Sequence, residues 1–182
     1  MMVLVVGGSG SGKSAYAEEL AVSLAQESVR EREMKKYYVA TMRVMDEEGQ
    51  KKADRHRNLR KDKGFLTIEQ PTGILGALEK MEPGDRTVLL ECISNLTANE
   101  MFSEKNAKTD RQVTEDLVSA VKRCKEQITH FVVVSSNVFE DGITYHETTM
   151  AYLYAMGRIN RKLATMADRV VEVTAGIPIT IK

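Results

Sequence analysis

A glycine-rich segment follows directly after an apolar run near the start of the chain. Residues 2–6 read Met-Val-Leu-Val-Val, and the next eight fit the pattern G-x-x-x-x-G-K-S. These eight residues are Gly7, Gly8, Ser9, Gly10, Ser11, Gly12, Lys13 and Ser14. A buried strand before such a loop and a helix after it form the context that a phosphate-binding loop requires. The chain is therefore expected to bind a nucleoside triphosphate at this point.

Each residue type in this loop has a chemical reason. Glycines let the backbone curl so that successive N–H groups point at phosphate oxygens. The helix that begins near Gly12 adds the positive end of its dipole. Lys13 can neutralise the β- and γ-phosphates, and the hydroxyl of Ser14 can hold Mg²⁺. The motif predicts binding of a triphosphate with Mg²⁺ and leaves the reaction open.

The composition narrows the class of protein. The chain has 182 residues, and we expect residues 1–182 to form a single P-loop nucleotide-binding domain with its own core. The 26 basic and 26 acidic residues balance, so no net charge attracts the chain to nucleic acid or to an anionic membrane. Tryptophan is absent and aromatic residues make up 5%, which leaves few rings for stacking on bases. We therefore expect no nucleic-acid partner.

The cysteines and the apolar runs predict where the protein works. Cys92 and Cys124 are isolated, without the spacing of a zinc site or a disulfide framework. Both are expected to be small buried residues in a reducing compartment. The apolar start is too short for a signal peptide, and no apolar run has the length of a membrane span. These features predict a cytoplasmic protein with no membrane partner.

Short β-branched runs alternate with amphipathic segments along the chain. The predicted strands are Val3–Val6, Tyr37–Ala40, Phe65–Glu69, Thr87–Glu91, His130–Ser135, Val170–Val173 and Ile177–Ile181. The predicted helices are Lys13–Arg32, Thr72–Met81, Asp110–Ile128 and Thr149–Ala167. This alternation predicts an α/β fold of the P-loop NTPase type, with a mostly parallel sheet flanked by helices. Because the connection around Gly176 is short, the last strand is predicted to be an antiparallel edge strand.

One predicted strand ends in a carboxylate. The apolar run Thr87–Glu91 places Glu91 at its carboxyl end. In P-loop enzymes, an acid at the end of a neighbouring strand holds the water shell of Mg²⁺ or orients a nucleophile. The alternative is an acid that faces solvent. Because the chain also contains the phosphate-binding loop, we predict that Glu91 acts at the metal together with Ser14.

A basic stretch at residues 51–61 contains one histidine. On a helix, Lys52, His56 and Arg60 would share one face because they are four residues apart. Neighbouring cations disfavour protonation, so His56 would stay neutral and nucleophilic, and the same cations would stabilise charge on a phosphate. From the spacing alone, a solvated basic helix with an incidental histidine is the favoured interpretation, and both interpretations are open at this point. His130, by contrast, is predicted to start a strand.

Blocks of residues along nearly the whole chain resemble one known family. Beyond the phosphate loop, the blocks are Tyr38-Val39-Ala40-Thr41, Arg55-His56-Arg57-Asn58-Leu59-Arg60 (R-H-R-x-x-R), Thr67 with Glu69 (T-x-E), Leu90-Glu91-Cys92-Ile93 and Gly157-Arg158-Ile159-Asn160. They resemble the bifunctional adenosylcobinamide kinase / adenosylcobinamide-phosphate guanylyltransferases of cobalamin assembly. The phosphate loop and the R-H-R-x-x-R block are the diagnostic parts of this resemblance.

The resemblance implies two reactions, their substrates and their residues. The first is phosphorylation of a hydroxyl of adenosylcobinamide, a corrinoid, by ATP or GTP with Mg²⁺. The second is transfer of GMP from GTP to adenosylcobinamide phosphate through a covalent guanylyl-histidine on His56, which gives adenosylcobinamide-GDP. The implied catalytic residues are His56 and Lys13. The implied nucleotide contacts beyond the loop are Ala40, Thr41, Met42, Arg57, Asn58, Leu59, Arg60, Glu69 and Glu91. The resemblance also implies a homotrimer, with the last long helix at its interface.

Residues 135–154 depart from the family pattern. Asn137 stands at the position of an acid, and Met150, Leu153 and Tyr154 stand at positions of arginine, arginine and aspartate. Two accounts are open. Either the corrinoid pocket or the trimer contact has been rebuilt with apolar groups, or one of the two activities has been reduced or lost, with the kinase activity as the first candidate. The alternatives to the bifunctional enzyme are therefore a diverged P-loop small-molecule kinase and a nucleotide-binding protein that has lost one activity.

Overall fold

The computed structural model of the protein describes residues 1–27, 34–43, 54, 60–103, 107–137 and 142–182. The strands are β1 (Met2–Val6), β2 (Lys35–Ala40), β3 (Phe65–Glu69), β4 (Arg86–Glu91), β5 (His130–Val134), β6 (Arg169–Thr174) and β7 (Ile177–Thr180). The helices are α1 (Lys13–Glu27), α2 (Leu75–Glu79), α3 (Ile93–Met101), α4 (Asp110–Gln127) and α5 (Glu147–Met166). Strands and helices alternate along the first part of the chain, as the sequence predicts.

In the described part of the chain, seven strands form one sheet in the order β3-β2-β4-β5-β1-β6-β7. The pairs from β3 through β6 are parallel, and β6 pairs with β7 antiparallel. Because parallel strands point the same way, their carboxyl ends meet at one edge of the sheet, where ligands bind in open α/β folds. This topology confirms the predicted fold class, including the antiparallel edge strand.

The sheet has a hydrophobic core on each face. On one face α1 covers the sheet, and Ala17, Ala21 and Leu24 pack on Val3 and Val5. On the other face α3, α4 and α5 cover it, with Phe131 fully buried among them. Each buried Val, Leu, Ile or Phe side chain contributes about 1.5–3 kcal/mol, so the two cores fix the sheet and the direction of α1.

Two elements differ from the sequence prediction, and the end of a third is not described. The α3 helix was absent from the helices predicted from periodicity, because buried polar residues such as Thr97 and Glu100 interrupt its apolar pattern. The α2 helix is shorter than predicted, since Gly73 adopts a positive φ of 58° just before it. The predicted end of α1, residues 28–32, lies outside the described residues.

The structure describes the two cysteines and the apolar character of the helices. Cys92 and Cys124 are both buried free thiols, as predicted, and burial raises the pKa of both, that of Cys124 to about 11. Within the ranges described, no helix combines the length and apolar character needed to cross a membrane.

Candidate active site

The phosphate loop, residues 7–14, joins β1 to α1 at the carboxyl edge of the sheet. Gly7 has no room for a side chain, because a Cβ there would lie 2.5 Å from the carbonyl oxygen of Val173. Gly10 and Gly12 have φ values of 71° and 89°, a region that residues with a Cβ rarely adopt. The glycines are therefore required by the backbone path and by close packing against β6.

The β6–β7 turn, Ala175 and Gly176, packs against this loop. The N–H of Gly176 donates a hydrogen bond of 2.8 Å to the carbonyl of Ser11. A Cβ on Gly12 would lie 3.2 Å from the Cα of Gly176. Ala175 and Gly176 both have positive φ, at 49° and 80°. The turn therefore holds the middle of the phosphate loop from the side of the last hairpin.

Two side chains of the loop have defined partners. The ammonium of Lys13 donates 2.9 Å to the carbonyl of Gly8, so it lies across the loop. The hydroxyl of Ser14 donates 2.7 Å to Oε1 of Glu91, at the end of β4. The structure therefore brings together three of the predicted site residues, Lys13, Ser14 and Glu91.

The carboxylate of Glu91 lies in a buried and charged environment. Burial raises the pKa of Glu91 to about 7, while the hydrogen bond from Ser14 and the charge of Lys13 oppose that rise. Its Oε2 atom is buried and has no hydrogen-bond partner among the described residues. A cation would restore the charged form of this group, because an opposite charge favours ionisation.

The Ser14 hydroxyl and the Glu91 carboxylate fit Mg²⁺. Mg²⁺ takes six oxygen ligands in near-octahedral geometry and is held in phosphate sites by one or two protein groups plus phosphates and water. Among the described residues, no group of three or more His, Cys, Asp or Glu side chains forms a separate metal cage. A cation at this position would therefore need most of its ligands from phosphate and water.

Thr41 holds the backbone at Glu91 and Cys92 through hydrogen bonds. Thr41 is fully buried, and its hydroxyl accepts 2.7 Å from the N–H of Cys92 and donates 2.8 Å to the Cys92 carbonyl. Its backbone N–H donates 3.0 Å to the carbonyl of Glu91, and its own carbonyl accepts 2.7 Å from the amide of Asn99. The hydroxyl and both backbone groups of Thr41 are therefore engaged in holding the end of β4.

Two predicted acids flank β2 in one row of the sheet. Ala40 is in register with Glu69 of β3 and with Glu91 of β4. Paired residues of neighbouring parallel strands point to the same face, and with strands about 4.8 Å apart the two glutamate Cα atoms are about 10 Å apart. Glu69 is exposed, and Met42 follows just after β2. Glu69 and Glu91 thus lie in one row on the α1 side of the sheet.

A buried group of charged and aromatic side chains lies beside the loop. Arg60 is 6% exposed, and its Cζ lies 3.4 Å from the centre of the Tyr38 ring. Lys63 donates 2.7 Å to Oε2 of Glu18, which is buried on α1. Among the residues that the structure describes, the Nε and Nη1 atoms of Arg60 have no hydrogen-bond partner. Sequence reasoning missed Tyr38, Glu18 and Lys63; an acid among the buried alanines of α1 was the available signal for Glu18.

His56, Arg57, Asn58 and Leu59 lie outside the described residues. Arg60 belongs to the same basic stretch and is described, and it lies close enough to Glu91 to lower the pKa of that carboxyl, opposing the effect of burial.

The positions that depart from the family pattern lie at two places. The side chain of Asn137 donates 2.8 Å to Glu172, and its N–H donates 3.2 Å to the carbonyl of Gly7. Asn137 is therefore in contact with the phosphate loop. Met150, Leu153 and Tyr154 on α5 line a groove of about 480 Å³ together with Gly142, Ile143, Gly157, Arg158 and Arg161.

Comparison with known proteins places this site in a family. The sequence model of the family described as cobinamide kinase / cobinamide phosphate guanyltransferase (CobU) matches residues 3–181. The chain is 28% identical to the bifunctional adenosylcobalamin biosynthesis proteins CobU of Escherichia coli (strain K12) and of Salmonella typhimurium (strain LT2), with 100% of each chain covered. It is 25% identical to CobP of Pseudomonas aeruginosa, with 100% of this chain and 98% of that protein covered.

Among solved structures, the flagellar accessory protein FlaH of Methanocaldococcus jannaschii aligns with the whole chain and with 77% of its own chain, at 17% identity and a TM-score of 0.49. The family match spans the chain from β1 to the residue that follows β7. It therefore includes the phosphate loop, Glu91 and the β6–β7 turn. The chain belongs to the cobinamide kinase / cobinamide phosphate guanyltransferase family, and it is a transferase of the kinase and guanylyltransferase type.

Proposed function

We propose that the protein carries out two consecutive reactions of cobalamin nucleotide-loop assembly. It phosphorylates adenosylcobinamide and then transfers GMP from GTP to adenosylcobinamide phosphate, giving adenosylcobinamide-GDP. The hydrogen bond between Ser14 and Glu91 carries this proposal. It joins the phosphate loop to a strand-end carboxylate in a chain that matches the family over residues 3–181.

The kinase step uses the loop and its charges. The hydroxyl oxygen of adenosylcobinamide attacks the γ-phosphorus of ATP or GTP, the bond to the β-phosphate oxygen breaks, and the hydroxyl proton is released. The loop N–H groups and Lys13 bind the phosphate oxygens on which negative charge develops. Ser14 and Glu91 would hold Mg²⁺. The bound ion would neutralise charge on the β- and γ-phosphates.

The guanylyl step proceeds through His56. A ring nitrogen of His56 attacks the α-phosphorus of GTP, a P–N bond forms, pyrophosphate leaves and the ring proton is lost. A phosphate oxygen of adenosylcobinamide phosphate then attacks the same phosphorus, and the P–N bond breaks to regenerate the histidine. The covalent intermediate conserves the energy of the cleaved anhydride and divides one displacement into two. Arg57, Asn58, Leu59 and Arg60 would contact the guanylyl group.

The residues at the ends of β2 and β3 would contact the nucleotide on the α1 side of the sheet. Ala40 and Met42 would lie beside it, and Glu69 would accept hydrogen bonds from guanine N–H groups. Glu91 would contact the nucleotide at its phosphates, beside Ser14. The hydroxyl of Thr41 is engaged with Cys92, so we propose that Thr41 acts by holding Glu91 in place.

We also propose a homotrimer formed by one domain, residues 1–182, and located in the cytoplasm. Free cysteines fit a reducing compartment. Three isoleucines of the C-terminal edge, Ile177, Ile179 and Ile181, are 49–64% exposed and alternate along the strand direction. Exposed apolar stripes of this kind are typical of subunit contacts. The apolar groove on α5 favours a rebuilt corrinoid pocket or subunit contact over loss of an activity.

Labelled nucleotide tests the guanylyl step. GTP labelled at the α-phosphate is expected to leave an acid-labile, base-stable adduct on the protein, and His56→Ala is expected to abolish it. His130→Ala, at the start of β5, is the matched control and should keep the adduct. An adduct that survives His56→Ala, or none on the unaltered protein, would overturn the proposed mechanism.

Transfer of the γ-phosphate tests the kinase step separately. GTP or ATP labelled at the γ-phosphate should label adenosylcobinamide, and Lys13→Ala should abolish that transfer. Phosphorylation of another hydroxyl compound but not of adenosylcobinamide would favour the diverged small-molecule kinase.

A further inference from the structure

Two long-range contacts lie at the end of the basic stretch, at Arg60, and just after it, at Lys63. The ammonium of Lys63 forms an ion pair of 2.7 Å with Glu18 of α1. The guanidinium of Arg60 stacks on the ring of Tyr38 of β2 at 3.4 Å. The contacting residues are separated by 45 positions in the first case and by 22 in the second, so local helix geometry creates neither contact.

These contacts are energetically significant because they are sheltered from water. The side chain of Glu18 is 4% exposed and that of Lys63 is 29% exposed. A buried carboxylate is costly unless it is paired, so Glu18 strongly favours the position that keeps Lys63 beside it. Arg60 and Tyr38 are 6% and 4% exposed, and a desolvated cation–π contact is stronger than an exposed one.

The partners of the two cations belong to the elements that build the nucleotide site. Glu18 lies four residues after Ser14 on α1, about one turn of the helix further on. Tyr38 lies two residues before Ala40 on β2, on the same face of the sheet as Glu91. Glu91 and Glu18 both raise the pKa of Tyr38, after the larger effect of burial, so the three side chains share one electrostatic environment.

We propose that Glu18 and Tyr38 are positioning residues for guanylyl transfer. Through Lys63 and Arg60 they hold the end of the basic stretch against the elements that carry the phosphate loop. This inference rests on the proposed role of His56. Because His56 precedes Arg60 by four residues, covalent geometry limits their Cα separation to about 14 Å, so a fixed Arg60 restricts where the nucleophile can be. The γ-phosphoryl transfer does not use His56, so the two activities should separate.

The test measures both activities of the full chain and its thermal unfolding. Lys63→Met is expected to slow formation of the α-labelled adduct at saturating GTP by about tenfold or more, since small misplacement of reacting groups costs large factors in rate. Lys63→Arg keeps the charge and should restore most of the rate. Transfer of the γ-phosphate should stay within about twofold in both variants, because binding of the triphosphate is unchanged.

The aromatic contact provides a second, independent variant. Tyr38→Leu should slow formation of the α-labelled adduct. Tyr38→Phe keeps the aromatic ring and should retain the rate of adduct formation. Lys108→Met is the matched control, because Lys108 is also 29% exposed and pairs at 2.9 Å with Glu100, a mostly buried acid on α3. This control should leave the adduct rate unchanged.

The outcomes distinguish the positioning role from the proposed function. If the unaltered protein forms no adduct, the proposed function fails and this inference fails with it. If the unaltered protein forms the adduct and Lys63→Met and Tyr38→Leu form it equally fast, only the positioning role is overturned. A parallel loss of both activities in these variants would also overturn it, because that result indicates general destabilisation.

Discussion

The hydroxyl of Ser14 donates a 2.7 Å hydrogen bond to Oε1 of Glu91, which joins the first turn of α1 to the carboxyl end of β4. The two residues are 77 positions apart in the chain. Their contact depends on the sheet order, which places β4 and β1 on either side of β5, and on the packing of α1 against one face of these strands. The phosphate loop and the acid are thus parts of one site.

Replacement of Glu91 by glutamine should change how stability depends on pH. Burial raises the pKa of Glu91 to about 7 from an ordinary value of 4.5. A raised carboxyl pKa favours the protonated folded form, so this stabilisation is fully present below pH 4.5 and is lost as pH rises through 7. The shift corresponds to about 3 kcal/mol. Urea unfolding should find Glu91→Gln more stable than the unaltered protein at pH 8, with little difference at pH 4.5.

Glu115→Gln on the exposed side of α4 is the control for that change. The difference in unfolding free energy between this variant and the unaltered protein should be the same at pH 4.5 and at pH 8. If the unfolding free energies of Glu91→Gln and the unaltered protein depend on pH in the same way, burial does not destabilise the carboxylate of Glu91.

The β6–β7 turn should affect nucleotide binding without contributing a side chain to it. Gly176→Ala places a Cβ at a φ of 80°, which costs about 1–2 kcal/mol and displaces the N–H that bonds Ser11. We expect the KM for the triphosphate to rise several-fold. Gly84→Ala is the control, because Gly84 also has a positive φ, of 120°, and an added Cβ would meet nothing within 4 Å. Equal nucleotide KM values in the two variants would contradict the role of the turn.

Asp168 is expected to stabilise the fold and not to act in the reaction. Its carboxylate accepts 2.6 Å from the N–H of Met2 and 2.9 Å from Lys125, which ties β1 to the start of β6. These bonds lower the pKa of Asp168, so their stabilisation is present above the ordinary pKa of 3.8 and is lost as pH falls below it. Asp168→Ala should cost about 1–3 kcal/mol of unfolding free energy at pH 7. The kcat of folded protein should be unchanged, and a kcat loss without destabilisation would refute this assignment.

The edge isoleucines should control the oligomeric state. Ile179→Lys places a charge in the exposed stripe of β7 and should convert the proposed trimer to monomer in sedimentation velocity. Leu66→Lys on the opposite edge strand β3 is the control, because Leu66 is 50% exposed and Ile179 is 49% exposed. A monomeric unaltered protein, or dissociation by both changes, would exclude a trimer contact through β7.

The parts of the fold that sequence predicted are those with local signals. Fully buried parallel strands such as β1 and β5 read as uninterrupted apolar runs, and the glycine spacing of residues 7–14 is specific to phosphate binding. The position of Glu91 at the end of β4 was also predicted from a local signal, a carboxylate that closes an apolar run. Parallel topology then brings such ends to one edge of the sheet.

The parts that sequence did not predict depend on distant residues. Arg60 stacks on Tyr38 and Lys63 pairs with Glu18 only after β2, β3 and α1 have packed. No periodicity within the basic stretch distinguishes those cations from solvated ones. The α3 helix was missed for a related reason, since its buried Glu100 finds its partners in Gly73 and Lys108, which lie elsewhere in the chain.

The hydrogen bond from Gly176 to Ser11 has a consequence for synthesis of the protein. The phosphate loop is translated before β5 and β6, which flank β1 in the sheet, and about 165 residues before the turn that holds it. A ribosome-bound nascent chain that stops before Gly176 should therefore bind triphosphate poorly. Nucleotide binding should therefore be acquired only after the β6–β7 turn has been translated.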